Sequence, residues 1–559
     1  MLLSAWHSLE LWLFAAVLIV SATTPAVRVP AMTWYGRVAR RQWLAVGLVT
    51  GYALMGCLAL GAIRGAPLAM IHDEFAYLLQ ADTFAHGRLT NPPHPMSEFF
   101  ETFHVLQQPT YMGKYPPAQG LFLGIGQAVA GHPVAGVWLS FCLASGALCW
   151  MLQAWIPPRW ALMGALLFVT RLLTIYGNQN WAYGYWGGAA ALLGGALVFG
   201  AVRRLYARPS ATNASLLAIG LVVLANARPL EGAVASLLPM LTLAWRYVAR
   251  GNFGWQGIAR VGLPMLLVGS AGVAAMAVYN HQITGHWARM PYREHLEQYT
   301  QVPVFFWQQP LQVTKTYPHP VMTRAFANEG VEWERMQTWS GWASICWSRL
   351  STPVMYFFGY LLLPFFLWGA IAQSKRHWLA MASLLLTLIC GLQTAWFQPH
   401  YLAPVAPCIA LAITNGMRSA WHWRWGEHRN GRTWVQLTLL AYIALLGTIF
   451  LPFSDYRDWQ HDRAALIEDL SQRSGKHLVI VAYSADHNFM NEWVYNPADI
   501  DGSDVVWARE VESPRQQPLL DYFHDRTIWR LHANEKPPRV EQLRGPIETT
   551  SRAEPGHER

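Results

Sequence analysis

Apolar residues run through most of the first 450 positions in long stretches, broken by short polar segments rich in arginine. A helix that crosses a bilayer takes about 20 apolar residues. Stretches of that kind lie at 9–28, 42–63, 135–156, 160–177, 185–205, 213–228, 231–248, 258–280, 353–373, 377–397, 400–418 and 433–453. The pattern predicts a mainly α, polytopic membrane protein of about twelve spans. Residues 117–131 are also apolar but too short to cross, and are expected to form a helix lying in the outer interface.

The breaks set the orientation. Arg37, Arg40 and Arg41; Arg159; Arg203, Arg204 and Arg208; Arg246, Arg250 and Arg260; Lys375 and Arg376; and Arg418, Arg424, Arg429 and Arg432 all fall on one side of such a bundle. Cytoplasmic loops collect Lys and Arg, so that side is expected to be cytoplasmic. Three parts are left external: a loop at 64–134, a second at 281–352, and the polar chain after 454. Residues 1–41 form an additional N-terminal helix and basic loop, 42–453 the main membrane domain, and 454–559 a small external α/β domain. In that domain His477–Tyr483, Val505–Ala508 and Thr527–Leu531 read as strands and Leu519–Phe523 as a helix, with a turn at Asp501-Gly502. The last ~20 residues are polar enough to be disordered.

Composition supports this picture. Hydrophobic residues make up 53% of the 559 and charged residues 13%, against roughly 25% charged in soluble proteins, which excludes an ordinary soluble enzyme. Before residue 454 there are 28 basic and 13 acidic residues, and after it 13 and 19. The positive-inside pattern accounts for the basic excess, and no nucleic-acid motif is present. The 29 Trp suit aromatic belts at the two interfaces. Five of the six cysteines lie in apolar runs and Cys346 in a polar loop, so no disulfide framework or zinc spacing follows.

Acidic residues are so scarce before the tail that their positions are informative. Asp73 and Glu74 follow the second span in Ile71-His72-Asp73-Glu74-Phe75, at its outer end, where water and lipid phosphates both reach. The plainer alternative is that Asp73 caps a helix of residues 74–87. Lys114-Tyr115-Pro116-Pro117 stands later in the same loop, its prolines setting a helix start. Lys114 there is either a phosphate ligand or a snorkelling lysine. Arg228-Pro229-Leu230-Glu231 and Gln398-Pro399-His400-Tyr401 fall on the same side; Arg228 and Glu231, three apart, are spaced to pair. Arg171 lies inside an apolar run, which makes it a functional candidate. In the loop after it, Asn178, Asn180 and Tyr183 offer hydrogen bonds to a sugar, or else build a turn.

These features resemble the GT-C superfamily of integral-membrane glycosyltransferases, most closely the family 39 and 83 branches that include protein O-mannosyltransferases and aminoarabinose transferase. The resemblance covers about residues 42–420 and rests on the acidic pair Asp73-Glu74 directly after a span and on Lys114-Tyr115-Pro116-Pro117 later in the same external loop. It implies a GT-C-like fold and a sugar donor on a polyprenyl phosphate. It also implies Asp73 as catalytic base or acceptor anchor, with Glu74 beside it, and Lys114, Arg228 and His400 as ligands of the departing phosphate; Arg171, from its place inside an apolar run, is expected to join these ligands. Tyr115, Asn178, Tyr183, Glu231 and Tyr401 become substrate contacts. The chain departs from these relatives in its additional first helix, in having no Asp in the loop after Arg171, and in its C-terminal domain.

The expected reaction is attack of a hydroxyl or amine on the anomeric carbon. A carboxylate takes the proton, fixed cations stabilise the leaving phosphate, and the anomeric centre inverts. No cofactor is implied. Divalent-metal dependence stays open, although His72, Asp73 and Glu74, being adjacent, cannot all point one way on a helix. The acceptor is a lipid, glycan or protein. The resemblance places the chain in a bacterial inner membrane with its site periplasmic. The main rival reading is a transporter or flippase of lipid-linked sugars, for which charges near the midplane and internal repeats would be expected.

Overall fold

The computed structural model describes residues 2–23, 33–175, 179–249, 254–309, 315–372, 377–424, 430–450 and 458–545. The first half of the chain is helical but for one short hairpin. It comprises α1 (Leu2–Thr23), α2 (Thr33–Arg40), α3 (Gln42–Arg64), α4 (His72–Ala85), the strands β1 (Val105–Leu106) and β2 (Met112–Gly113), α5 (Ala118–Ala130), α6 (Val134–Trp155), α7 (Pro158–Leu173), α8 (Gly188–Leu205), α9 (Ala211–Ala227) and α10 (Pro229–Ala249). There follow α11 (Trp255–Gly257), α12 (Leu263–Thr284), α13 (Pro291–Tyr299), α14 (Pro320–Arg335), α15 (Trp339–Pro353), α16 (Gly359–Ile371), α17 (Trp378–Leu392), α18 (Ala406–Ala420) and α19 (Asn430–Leu446). The tail holds α20 (Trp459–Ser471), β3 (His477–Ala482), β4 (Val505–Arg509), α21 (Gln517–Tyr522), β5 (Thr527–His532) and β6 (Arg539–Arg544).

A helix stands at each of the twelve apolar stretches. Among the described residues six helical runs are long and apolar enough to cross a membrane: Gln42–Arg64, Val134–Trp155, Gly188–Leu205, Pro229–Ala249, Ile258–Thr284 and Trp339–Ile371. Large apolar side chains on their outer faces, among them Trp43, Leu266, Leu267 and Val273, are exposed. In water such a surface would be an aggregation hazard; lipid is its natural solvent. The chain is a membrane protein with a mainly α fold and a small C-terminal sheet.

Several boundaries differ from the sequence reading. The run expected at 353–373 is the end of a 33-residue helix that begins at Trp339, because Pro353 sits where a π-helical turn, Val354–Phe358, absorbs the missing N–H. Cys346 is therefore helical and buried, and all six cysteines are free. Residues 400–405 belong to a 3₁₀ segment, Pro399–Val405, ahead of α18. The tail gains α20 and the strand β6, the latter running into the stretch expected to be disordered.

The tail sheet has the order β4-β3-β5-β6, with β6 antiparallel at one edge. Side chains alternate along β3, so its two faces serve different partners. Val479 and Val481 pack with Leu470 of α20. Leu478 and Ile480 join Tyr77, Phe99 and Phe100 of the loop at 64–134 in one core. The C-terminal unit is thus docked on that loop, and Phe75 stacks flat on Tyr495 with ring centroids 4.1 Å apart.

Two glycines allow close approaches that matter below. A Cβ on Gly195 of α8 would collide with the carbonyl of Pro404, so Gly195 lets the 3₁₀ segment lie against α8. Gly359, at φ 53°, adopts the left-handed conformation that glycine tolerates, and a Cβ there would strike the carboxylate of Glu10.

Candidate functional site

Asp73 lies in the first turn of α4, but it is not the cap. The N-cap is Ile71 and no side chain bonds to the free N–H groups there. The Asp73 carboxylate instead collects donors from three other segments. Its Oδ1 accepts the Tyr115 hydroxyl and lies 2.6 Å from Nδ1 of His104. Its Oδ2 accepts the indole N–H of Trp186 at 2.6 Å. The cap alternative is therefore wrong in this structure, because side-chain donors outcompete the helix end for this carboxylate.

His104 reaches Asp73 from just before β1 with φ at 64°. A non-glycine residue there costs of order 1 kcal/mol, a strain held in place partly by the bond from Lys114 N to His104 O, 3.0 Å. The strain falls on the residue that faces the carboxylate.

The charges around Asp73 set its state. Burial alone would raise its pKa; the His104 imidazole, the Tyr115 hydroxyl and the Lys114 ammonium outweigh that and hold it well below the usual carboxylate range. Burial and Lys114 lower the pKa of His104, so its imidazole is biased toward the neutral form. Lys114 is buried between two aromatic faces, with Nζ 5.4 Å from the Tyr115 centroid and 5.3 Å from that of Tyr292. Burial pushes it down to about 8, against the pull of Asp73 and Glu329. Glu329, on α14, is raised to about 7 by its own burial.

The next two clusters join the same assembly. The ring of His400 lies over Trp186, centroids 4.4 Å apart, and the Arg228 guanidinium sits 4.6 Å from the Tyr401 ring. Among the described residues no ion pair joins Arg228 to Glu231, so the simple i,i+3 pair is not formed. Both instead approach Tyr77 and Tyr401, and Tyr77 stacks on Tyr115 at 4.7 Å. Asp73, Lys114, Tyr115, Arg228, Glu231, His400 and Tyr401 thus meet in one polar, aromatic-walled cluster at one end of the bundle. A narrow crevice lined by Pro116, Pro117, Tyr279, Met290, Pro291 and Tyr292 lies beside it.

Other expected residues lie elsewhere. Glu74 is buried behind Asp73, where it accepts the backbone N–H groups of Met70 at 2.9 Å and Tyr185 at 3.0 Å. Burial raises its pKa to about 7. Arg171 is not brought to the cluster. It is fully buried at 3.4 Å from Glu10 of α1 and donates to the carbonyls of Met355 and Tyr356 in the π-helical turn. Its expected role as a phosphate ligand is corrected to that of a link between α1, α7 and the π-helical turn before α16. The Tyr183 hydroxyl donates to Arg64 O, 2.9 Å, at the end of α3, away from Asp73. Asn180 organises its own loop through Leu173 O and Ile175 O. Asn178 lies outside the described residues.

Four residues around the acidic pair carry no site role in the sequence analysis. Trp186 stands in the loop before α8 as one aromatic among several, with nothing to distinguish it. His104 has no local signal. His72 hydrogen-bonds the Tyr495 hydroxyl at 2.8 Å, a partner more than 400 positions away. His295 of α13 faces His104 at 6.0 Å between ring centroids. His72, Asp73 and Glu74 point to three different partners, as three successive helical residues must. Among the described residues no group of three or more His, Cys, Asp and Glu side chains is arranged to hold a metal ion.

No protein-family model and no curated protein matches the sequence. Among solved structures, the chain is similar to ArnT from Cupriavidus metallidurans in the apo state, with a TM-score of 0.46 and 11% identity over 87% of this chain and 93% of that one. For ArnT bound to undecaprenyl phosphate the values are 0.45 and 12% over the same shares. The oligosaccharyltransferase of Archaeoglobus fulgidus is similar with a TM-score of 0.39 and 11% identity over 80% of this chain and 64% of that one.

Proposed function

We propose that the chain is a membrane glycosyltransferase that moves a sugar from a polyprenyl-phosphate donor to an acceptor hydroxyl or amine on the external face. The observation that carries this reading is the convergence on Asp73. A carboxylate bonded to Tyr115, His104 and Trp186 shares one cluster with two cations, Lys114 and Arg228, each held against tyrosine. An anionic acceptor anchor and a cationic phosphate subsite are the two parts that such a transfer needs. The acidic pair and the Lys-Tyr-Pro-Pro element that resemble GT-C enzymes supply members of both.

In the reaction, the acceptor O–H or N–H hydrogen-bonds to Asp73 and its lone pair attacks the anomeric carbon. The bond from that carbon to the phosphate oxygen breaks, and its electron pair leaves on the phosphate. Lys114 and Arg228 stabilise the gathering negative charge, and the acceptor proton passes to Asp73. A single displacement inverts the anomeric centre. Tyr115, Tyr401 and Trp186 offer the flat faces on which a sugar packs. The external face is the periplasmic one in a bacterial inner membrane, and the acceptor is a lipid, glycan or protein.

The test is release of labelled polyprenyl phosphate from lipid-linked sugar donors by the purified chain, compared with equally folded Asp73→Asn and Lys114→Ala variants. Release by the parent and its loss in both variants is the expected result. Absence of release from every donor, together with movement of labelled lipid across proteoliposomes, would overturn the reading in favour of a flippase.

A further inference from the structure

We propose that the chain carries a second anion site, at the end of the bundle opposite Asp73, that takes the phosphate headgroup of an anionic membrane lipid. A cavity of about 440 Å³ opens there, lined by Arg203, Arg418 and His377 on its polar side and by Trp155, Ile156 and Pro157 on its apolar side. Among the described residues no carboxylate lines it. Its walls come from the C-terminal turns of α6, α8 and α18 and from the residue before α17.

Arginine in the last turn of a helix is ordinary, because it complements the negative end of the helix dipole. The neighbouring Arg204 does just that work: it donates to Gly200 O at 3.1 Å and Trp150 O at 2.8 Å. Arg203 and Arg418 come from two different helices and line one cavity together with His377. The Arg203 guanidinium lies 5.6 Å from the Trp155 ring centroid, which seats it against the apolar wall. Among the described residues the charged side chains that line the cavity are both arginines. The cavity therefore gathers positive charge beside an apolar wall, the combination that fits a lipid phosphate with its glycerol and first acyl carbons. Gly188 of α8 follows the Asp73 cluster and Arg203 lies near the other end of that helix, a span of about 27 Å for 18 residues. The two sites are separate, and this inference stands whether or not the proposed transfer is correct.

The test uses the full chain in detergent micelles, titrated with phosphatidylglycerol, with phosphatidylcholine and with inorganic phosphate. Retained lipid is counted by native mass spectrometry and the thermal unfolding midpoint is followed. Phosphatidylglycerol is expected to be retained and to raise the midpoint, with little effect from the other two. The double variant Arg203→Gln/Arg418→Gln should weaken phosphatidylglycerol binding about tenfold, as expected for loss of charge-assisted hydrogen bonds. The Lys/Lys double variant should keep most of it, and Arg424→Gln, at an exposed position, should match the parent. If the Gln/Gln variant does not fold, Arg418→Gln alone is read in the same way. Equal binding by parent and Gln variants, or equal binding of phosphatidylcholine, overturns the site. A midpoint shift with inorganic phosphate as large as that with phosphatidylglycerol overturns the lipid as its source.

Discussion

The indole N–H of Trp186 donates to Oδ2 of Asp73 at 2.6 Å, tying the loop before α8 to the first turn of α4. The bond favours the ionised carboxylate, as do the contacts from Tyr115 and His104. Trp186→Phe removes this donor while keeping most of the ring. The pKa of Asp73 should then rise, moving the acidic limb of the pH profile of polyprenyl-phosphate release upward. Asp73→Asn should lower the rate about 10²- to 10⁴-fold, the usual range for loss of a positioned acid or base. A Trp186→Phe profile that overlays the parent would show that the bond does not set the charge of Asp73.

Lys114, pushed down to about 8 by burial, should give release a basic limb. Its charged form binds the phosphate, so kcat/KM for the donor falls as pH rises through about 8 in the free protein. Lys114→Arg should shift this limb to higher pH, since the guanidinium does not titrate there, and Lys114→Ala should remove it along with most activity. Rates measured from about pH 6 to about pH 10, on either side of that limb, distinguish these outcomes.

Glu74 makes stability depend on pH in the opposite sense from a salt-bridged acid. Its folded pKa of about 7 lies above the ordinary 4.5, so the folded state binds more protons than the unfolded one between those values. Stability should therefore fall as pH rises from about 4.5 to about 7 and then level off, by roughly 3 kcal/mol in all. Thermal midpoints in detergent across this range measure the slope. Glu74→Gln should abolish it, at the constant cost of setting an amide N–H₂ against one of the two backbone donors.

Arg171 and Glu10 test the separation of structure from chemistry. Both are fully buried, and removing one partner strands the other charge, at a cost of about 3–5 kcal/mol. Glu10→Ala and Arg171→Ala should lower the unfolding midpoint sharply while leaving the rate per folded molecule near that of the parent. A variant that folds normally but loses donor binding would return Arg171 to the site.

The helical frame was readable in the chain because lipid imposes a one-dimensional rule: each crossing needs its own run of apolar residues, and the charges between runs mark the two sides. The same rule exposed Asp73, Lys114, Arg228 and His400, since a charge in so apolar a chain stands out wherever it occurs. The parity of the loops put them on one side of the bundle, while their meeting in one cluster came from packing; the pairing of Asp73 with Tyr115 joined two motifs already in view.

Other relationships depend on how elements pack, and no local pattern encodes them. Asp73 looked like a helix cap because the same residue at the same place serves either role; the donors on His104, Tyr115 and Trp186 decided between them. Arg171 looked like a ligand because an arginine in an apolar run needs a partner, and only the packing of α1 against α16, and of the π-helical turn against α7, revealed Glu10, Met355 and Tyr356 as its partners. Tyr495 reaches His72 only because the face of β3 that carries Leu478 and Ile480 docks on the loop at 64–134. Hydrophobic periodicity determines that these segments are helices and strands. Which side chains finally face one another is set by close packing between distant segments, where a single methyl at Gly195 or Gly359 would change the answer.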